Sequence, residues 1–165
     1  MNFNEKWLKD LEDGNNGEKN IARWLKQNKS HKIISFNDDN KYDILTEYNN
    51  KQITYEIKTD NWEFYHNRIT NNIFIEVMCN SKLSGVMVSQ ADVFVYYFEK
   101  RNKAYFIKMS ELKKLLKENP EYFKRTIKAG DGGKVTAYLI NREKYSHLFK
   151  IYDILLETKT IKNNI

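Results

Sequence analysis

The stretch from Lys41 to Asp60, KYDILTEYNNKQITYEIKTD, most constrains the fold of this chain. It reads as two β-strands joined by a turn at Asn49-Asn50. Side chains alternate faces along a strand, so Glu56 and Lys58 share one face while Tyr55 and Ile57 point to the other. Antiparallel pairing brings Asp43 of the first strand beside Glu56 of the second. Two carboxylates and an amine then converge on one spot. Hard divalent cations such as Mg²⁺ take oxygen ligands and are held by one or two carboxylates plus substrate phosphates. A neighbouring lysine supplies a mobile positive charge for a phosphate, or handles the proton of an attacking water. An ordinary hairpin with a charged outer face has the same pattern, and pattern alone leaves both readings open.

Around this hairpin the periodicity alternates between helix and strand. Asn4 to Leu11 carries Trp7, Leu8 and Leu11 at helical spacing, and Asp13 to Gly17 breaks it. Glu18 opens a second helix, GEKNIARWLKQN, whose inward stripe is Ile21, Ala22, Trp24 and Leu25. Glu18 lies at the edge of that inward face. An acid in the first turn suits the helix dipole, which alone accounts for it. His31 to Phe36 is a short strand.

Asn61 to Asn72 has no clean period and reads as a loop or lid with one helical turn. Ile73 to Met78 is a strand with Phe74, Glu76 and Met78 on one face; Glu76 is an edge position or a third acid near the hairpin. In the turn-rich Ser81 to Ser89, Gly85 supplies a backbone conformation that other residues avoid. Asp92 to Phe98 is a buried strand, apolar on both sides, and turns into Ala104 to Met109. Ser110 is a candidate N-cap for ELKKLLKEN, and Pro120 starts a helical piece, PEYFKRTIK. Val135 to Ile140 is the last strand. Asn141 caps a final helical region running through Tyr145, Leu148 and Ile151 to Leu156. The class is α/β or α+β, a central mixed sheet flanked by helices.

The 165 residues fit one domain, with a core at about 16–100 and a C-terminal αβ elaboration at about 104–157. Nothing is apolar enough for long enough to span a bilayer, and the N-terminus lacks the apolar run of a signal peptide. Cys79 is the single cysteine, which excludes an intramolecular disulfide and disfavours structural zinc. The expected setting is the cytoplasm. A net charge of +6 favours an anionic partner such as nucleic acid. His31 and His147 offer no metal-ligand spacing and read as structural or surface residues.

A helical glutamate, then Asp43, then Glu-Ile-Lys at Glu56 to Lys58 thirteen positions on, then an apolar strand, resembles the PD-(D/E)xK nuclease superfamily. The resemblance covers roughly Glu18 to Phe98. The branch of Holliday-junction resolvases and related phage-type nucleases fits best, because it carries the glutamate on the first helix. Tyr42 stands where the motif's name has proline, and the C-terminal third is poorly covered.

The resemblance implies a restriction-endonuclease-like core and a DNA endonuclease dependent on Mg²⁺ or Mn²⁺. Asp43, Glu56 and the main-chain carbonyl of Ile57 would hold the cation, and Glu18 would complete the site directly or through water. Lys58 would orient or deprotonate the attacking water. DNA is the implied partner, and paired cuts in a junction imply a homodimer. Weaker candidates for touching DNA are Arg68, in the loop after the motif, and Ser89 and Gln90 before the buried strand. Asp60, on the face of Lys58, is an outer-shell group or a strand end. Two competing readings are a restriction-type enzyme with a fixed duplex site and a nucleic-acid-binding module without chemistry.

Overall fold

The computed structural model describes residues 17–37, 41–63, 68–119, 124–129 and 133–156, with the main chain alone at 124–129 and 133. The helix expected over Asn4 to Leu11 lies outside them. In chain order the elements are α1 (Gly17–Lys29), β1 (Lys32–Phe36), β2 (Ile44–Tyr48), β3 (Lys51–Asp60), β4 (Asn72–Cys79) and β5 (Lys82–Leu83). A 3₁₀ turn at Gly85–Met87 leads to β6 (Val93–Phe98), β7 (Lys103–Lys108) and α2 (Met109–Glu118). β8 (Lys124–Ala129), β9 (Gly133–Asn141), a 3₁₀ turn at Ser146–Leu148 and β10 (Lys150–Asp153) complete the order.

The hairpin forms as its sequence predicts. Asn49 and Asn50 take φ of 49° and 59°, a two-residue turn in the left-handed region whose twist matches that of the strands it joins. Asparagine tolerates this region better than most residues because its short polar side chain bonds locally. β3 then serves as the spine of a six-stranded mixed sheet, ordered β1-β2-β3-β6-β7-β10. β3 and β6 are its parallel neighbours, with Glu56 beside Phe94 and Lys58 beside Tyr96. A second, antiparallel sheet is ordered β5-β4-β9-β8.

Two apolar cores lie on opposite faces of the central sheet. On one, Ile21, Ala22, Trp24 and Leu25 of α1 meet Tyr55, Ile57, Val95 and Phe106. On the other, Ile73, Ile75 and Ile140 of the second sheet and Leu112 of α2 meet Phe94, Tyr96 and Phe98. Covering both faces explains why β6 reads as an unbroken apolar run.

The start of α1 is set by close approach. A Cβ on Gly17 would lie 1.8 Å from Thr59 Oγ1, so the helix meets β3 only because position 17 has no side chain. We predict that Gly17→Ala costs about 1–3 kcal/mol, read as a lower denaturant midpoint, and that adding Thr59→Ala recovers part of it. Unchanged stability of the single variant would contradict the contact.

The expected strand over Ile73 to Met78 is present as β4, in the second sheet, where its apolar face covers the central sheet. Three expectations are corrected. Of the helical piece expected from Pro120, residues 120–123 lie outside those described, and the remainder is β8 over 124–129, whose edge pairing with β9 overrides local helical spacing. The final helical region is a 3₁₀ turn followed by β10, which completes the free edge of β7. The side chain of Asn141 does accept from the Glu143 and Lys144 amides at 3.1 and 2.9 Å, but it closes a turn and not a helix. Ser110 lies inside α2, which begins at Met109 with Lys108 in the capping position.

Candidate active site

Asp43 sits one residue before β2, where the ladder to β3 is irregular. Ile44 already pairs with Tyr55, yet the Asp43 amide also donates to the Tyr55 carbonyl at 2.8 Å. Two successive residues thus answer to one on β3, a local bulge. Bulges of this kind re-aim a side chain. Here the Asp43 carboxylate turns back along β3 and Oδ2 accepts the Ile57 amide at 2.5 Å. The carboxylate therefore lies against the main chain between Glu56 and Lys58.

Glu56 feels its surroundings strongly. Burial, then the charge of Asp43, and more weakly that of Glu18, push its pKa up to about 7, while a hydrogen bond from Ser89 and the charge of Lys58 oppose the rise. Burial also raises the Asp43 pKa, against the Ile57 amide and the Lys58 ammonium. The pattern of these effects locates the groups. Asp43, Glu56, Lys58 and Glu18 share one electrostatic neighbourhood, although they come from a bulge, a strand and a helix start. Packing Gly17 against Thr59 is what brings Glu18 there. Lys58 is the exposed member of the group.

The segment before β6 closes one side. The Ser89 hydroxyl lies 3.2 Å from the Lys41 carbonyl and also reaches Glu56, and it has one proton to give to either. Ser89 is 2% exposed, so the structure turns it inward toward the carboxylate and not out toward DNA. The Gln90 amide donates to the same Lys41 carbonyl at 2.7 Å, with its side chain exposed. Lys113 of α2 donates to the Ser89 carbonyl at 2.9 Å and ties the helix to this segment. Gly85 makes the turn possible, with φ of 52° and a position where any Cβ would meet the Glu76 carbonyl at 2.5 Å.

Other candidates stand elsewhere. Glu76 projects from the face of β4 opposite to Ile73, Ile75 and Val77, which pack toward the central sheet; it is not a third acid of this cluster. Asp60 shares the face of Lys58, but its carboxylate accepts from Tyr96 Oη at 2.7 Å and the Trp62 amide at 2.8 Å, the role of a strand end. Arg68 is exposed in the loop after the motif. His31 is buried and bonded to Thr46 Oγ1 at 2.8 Å, and His147 is exposed.

Sequence reasoning missed Glu63, which no periodicity marks. It is 5% exposed, and the Arg101 Nε–H is shared between its two oxygens at 3.0 and 2.8 Å. The Thr70 amide donates to the same carboxylate at 3.1 Å, joining both ends of the loop that follows the motif. Burial alone would raise the Glu63 pKa, but Arg101, the Thr70 amide and the charge of Arg142 outweigh it and hold it below the ordinary value. This contribution is complete above the unfolded pKa and is lost as pH falls through the depressed one. Glu63→Ala should cost about 2–4 kcal/mol at neutral pH, visible in the urea midpoint, because it strands a guanidinium. The penalty should shrink on acidification.

Among the described residues, no three His, Cys, Asp or Glu side chains gather closely enough to hold a metal unaided. Asp43 and Glu56 supply two hard oxygen donors, and Glu18 acts at charge range. Mg²⁺ needs no more from a protein when waters and a phosphate fill its remaining positions. The raised Glu56 pKa is the cost that a cation at this spot would relieve. The donor set therefore fits a hard divalent ion held by two carboxylates.

Among the described residues no helix is long and apolar enough to cross a membrane. No family model, no curated protein and no solved structure matches this chain.

Proposed function

We propose that this protein is a metal-dependent DNA endonuclease of the PD-(D/E)xK type, acting on branched DNA such as a Holliday junction. The observation that carries the reading is the bulge at Asp43, which sets its carboxylate against the Ile57 amide beside Glu56, with Lys58 and Glu18 in the same electrostatic neighbourhood. In this reading α1, β1, β2, β3 and β6 form the restriction-endonuclease-like core. The second sheet and β7 to β10 are this chain's additions and select its substrate.

A bound Mg²⁺ or Mn²⁺ would polarise the scissile phosphate and stabilise the leaving oxygen. The chain's own residues do the rest. Asp43 and Glu56 would hold the ion, with the Ile57 carbonyl as a main-chain ligand, and Glu18 would complete the site directly or through water. Lys58, exposed at the edge of the cluster, orients the attacking water and accepts or shares its proton. Ser89 keeps Glu56 aimed by hydrogen bonding. The net charge of +6 supports binding to a phosphate backbone.

The deciding experiment incubates the protein with a four-way junction and a matched linear duplex, with and without Mg²⁺. The expected result is metal-dependent, paired cutting of the junction, leaving 5′-phosphates, by a homodimer in solution. Cutting of plasmid at one fixed sequence would transfer the proposal to a restriction-type enzyme. Salt-sensitive binding with no cleavage of branched, single-stranded or duplex DNA in Mg²⁺ or Mn²⁺ would reduce the protein to a binding module.

A further inference from the structure

α1 covers only part of its face of the central sheet. It starts over Thr59 and ends at Lys29, leaving the sheet open beyond its last turn. A cavity of about 550 Å³ fills that space. Its long direction follows the strand order, from Tyr48 on β2 through Tyr55 on β3 and Val93 on β6 to Phe106 on β7 and Tyr152 on β10. Its Trp24, Tyr55 and Phe106 walls belong to the face opposite to Glu56 and Lys58, while Ile107, Phe149 and Glu111 reach it from the side of the other core. The volume is in the range of small-molecule sites, roughly 300–1,000 Å³.

The lining is aromatic at both ends. At one, Trp24, Phe106 and Tyr152 touch one another, with ring centroids 4.9 to 5.7 Å apart. At the other, His31 stacks on Tyr48 at 4.8 Å with the planes 11° apart. His31 is 8% exposed, and its Nδ1 is taken by Thr46, which leaves Nε2 as a polar group within an aromatic wall. Tyr48 is 40% exposed, a large ring held flat at the mouth.

The charges at the rim are mainly positive. Lys29 Nζ lies 4.4 Å from the Tyr152 ring centre and 5.4 Å from that of Trp24. Lys150 and Lys108 also line the cavity, and the one acid there, Glu111, is 3.6 Å from Lys108. Among the described residues neither Lys29 nor Lys150 has a carboxylate in ion-pair range. A cationic ligand would meet ammonium groups already seated over the rings. A flat ring bearing an anion satisfies both parts of the lining, because stacking on aromatic side chains and phosphate contact by lysine are separable and additive.

We propose that this cavity binds an unpaired nucleotide, its base among the aromatic side chains and its phosphate at Lys29 and Lys150. The nucleotide is either a free mononucleotide or the terminal unit of a single strand. The site shares no side chain with the Asp43–Glu56 cluster, so its occupancy does not depend on the cleavage reading.

The test is calorimetric titration of the full chain without divalent metal, so that no hydrolysis intervenes. The probes are thymidine 5′-monophosphate, adenosine 5′-monophosphate, the matching nucleosides, inorganic phosphate and a 5′-phosphorylated single-stranded trinucleotide. The nucleotides should bind at least about tenfold more tightly than the nucleosides, and phosphate alone should bind weakest. Lys29→Glu combined with Lys150→Glu should weaken binding by about tenfold or more while leaving the melting temperature near that of the parent. Tyr48→Ala should weaken the nucleosides as well. Lys58→Ala should bind as the parent does. Preference for the trinucleotide would assign the source to a strand end, and equal affinity to a free nucleotide; both support the site. Absence of binding by every probe at millimolar concentration overturns it, as does binding that survives the double charge reversal. Tighter binding of a fatty-acid anion such as laurate than of any nucleotide also overturns it.

Discussion

Replacing Glu56 with Gln should stabilise the metal-free protein above neutral pH while abolishing its proposed activity. The reason is that burial and the neighbouring acids hold the Glu56 carboxyl up at about 7, against an ordinary 4.5. A carboxylate whose folded pKa is raised binds its proton more tightly in the folded state than in the unfolded one. Stability is then greatest where both states are protonated, and it falls as pH rises from about 4.5 to about 7. A shift of this size corresponds to at most about 3 kcal/mol, and the partial exposure of the group reduces the expected effect to about 1–2 kcal/mol. For a chain of this length that is a rise of about 2–8 °C in melting temperature for Glu56→Gln at pH 8.

At pH 4, where both states are largely protonated, the two proteins should melt nearly together. His31, whose pKa burial lowers, and Glu63 change stability in the opposite direction, but they are common to both proteins and cancel in the difference. Added Mg²⁺ should raise the melting temperature of the parent at pH 8, do little at pH 5, and do little at either pH for Glu56→Gln. If the variant and parent melt alike from pH 5 to pH 8, the carboxylates are not crowded as described.

The second large effect concerns Lys58. Its side chain is exposed and contributes little to packing, so Lys58→Ala should leave stability within about 0.5 kcal/mol of the parent. Junction cleavage should nevertheless fall by about 10²–10⁴-fold, the usual worth of a group that positions or deprotonates a nucleophile. Binding of the same junction without metal should be nearly unchanged. That separation of stability, binding and rate is what distinguishes a chemical role from a charged strand face. Cleavage at the parent rate by Lys58→Ala would remove the lysine from the mechanism, and with it much of the argument from the motif.

The hairpin was legible because two independent local signals agree there. Alternation marks both strands, and Asn49-Asn50 supplies a turn of the required hand. α1 was legible for the same reason, since its apolar stripe and its acidic first turn point the same way. The failures cluster in the C-terminal third. Tyr145, Leu148 and Ile151 have helical spacing, yet β10 forms because β7 would otherwise expose an unpaired edge. The segment after Pro120 likewise follows β9 and not its own spacing. In both cases a long-range partner outweighed a weak local preference.

The candidate site divides in the same way. Sequence by itself determined the chemistry on offer: two acids and a lysine on neighbouring strands, a glutamate opening a helix, and a turn that folds the strands together. These follow from period and spacing, which are local properties. Tertiary structure alone decided which groups meet. The bulge that aims Asp43 at the Ile57 amide, the inward turn of Ser89, the distance of Glu76 from the cluster and the clamp at Glu63 all depend on residues remote in the chain. Backbone hydrogen bonding and side-chain packing set those relations only after the sheet has closed, so no window of sequence contains them.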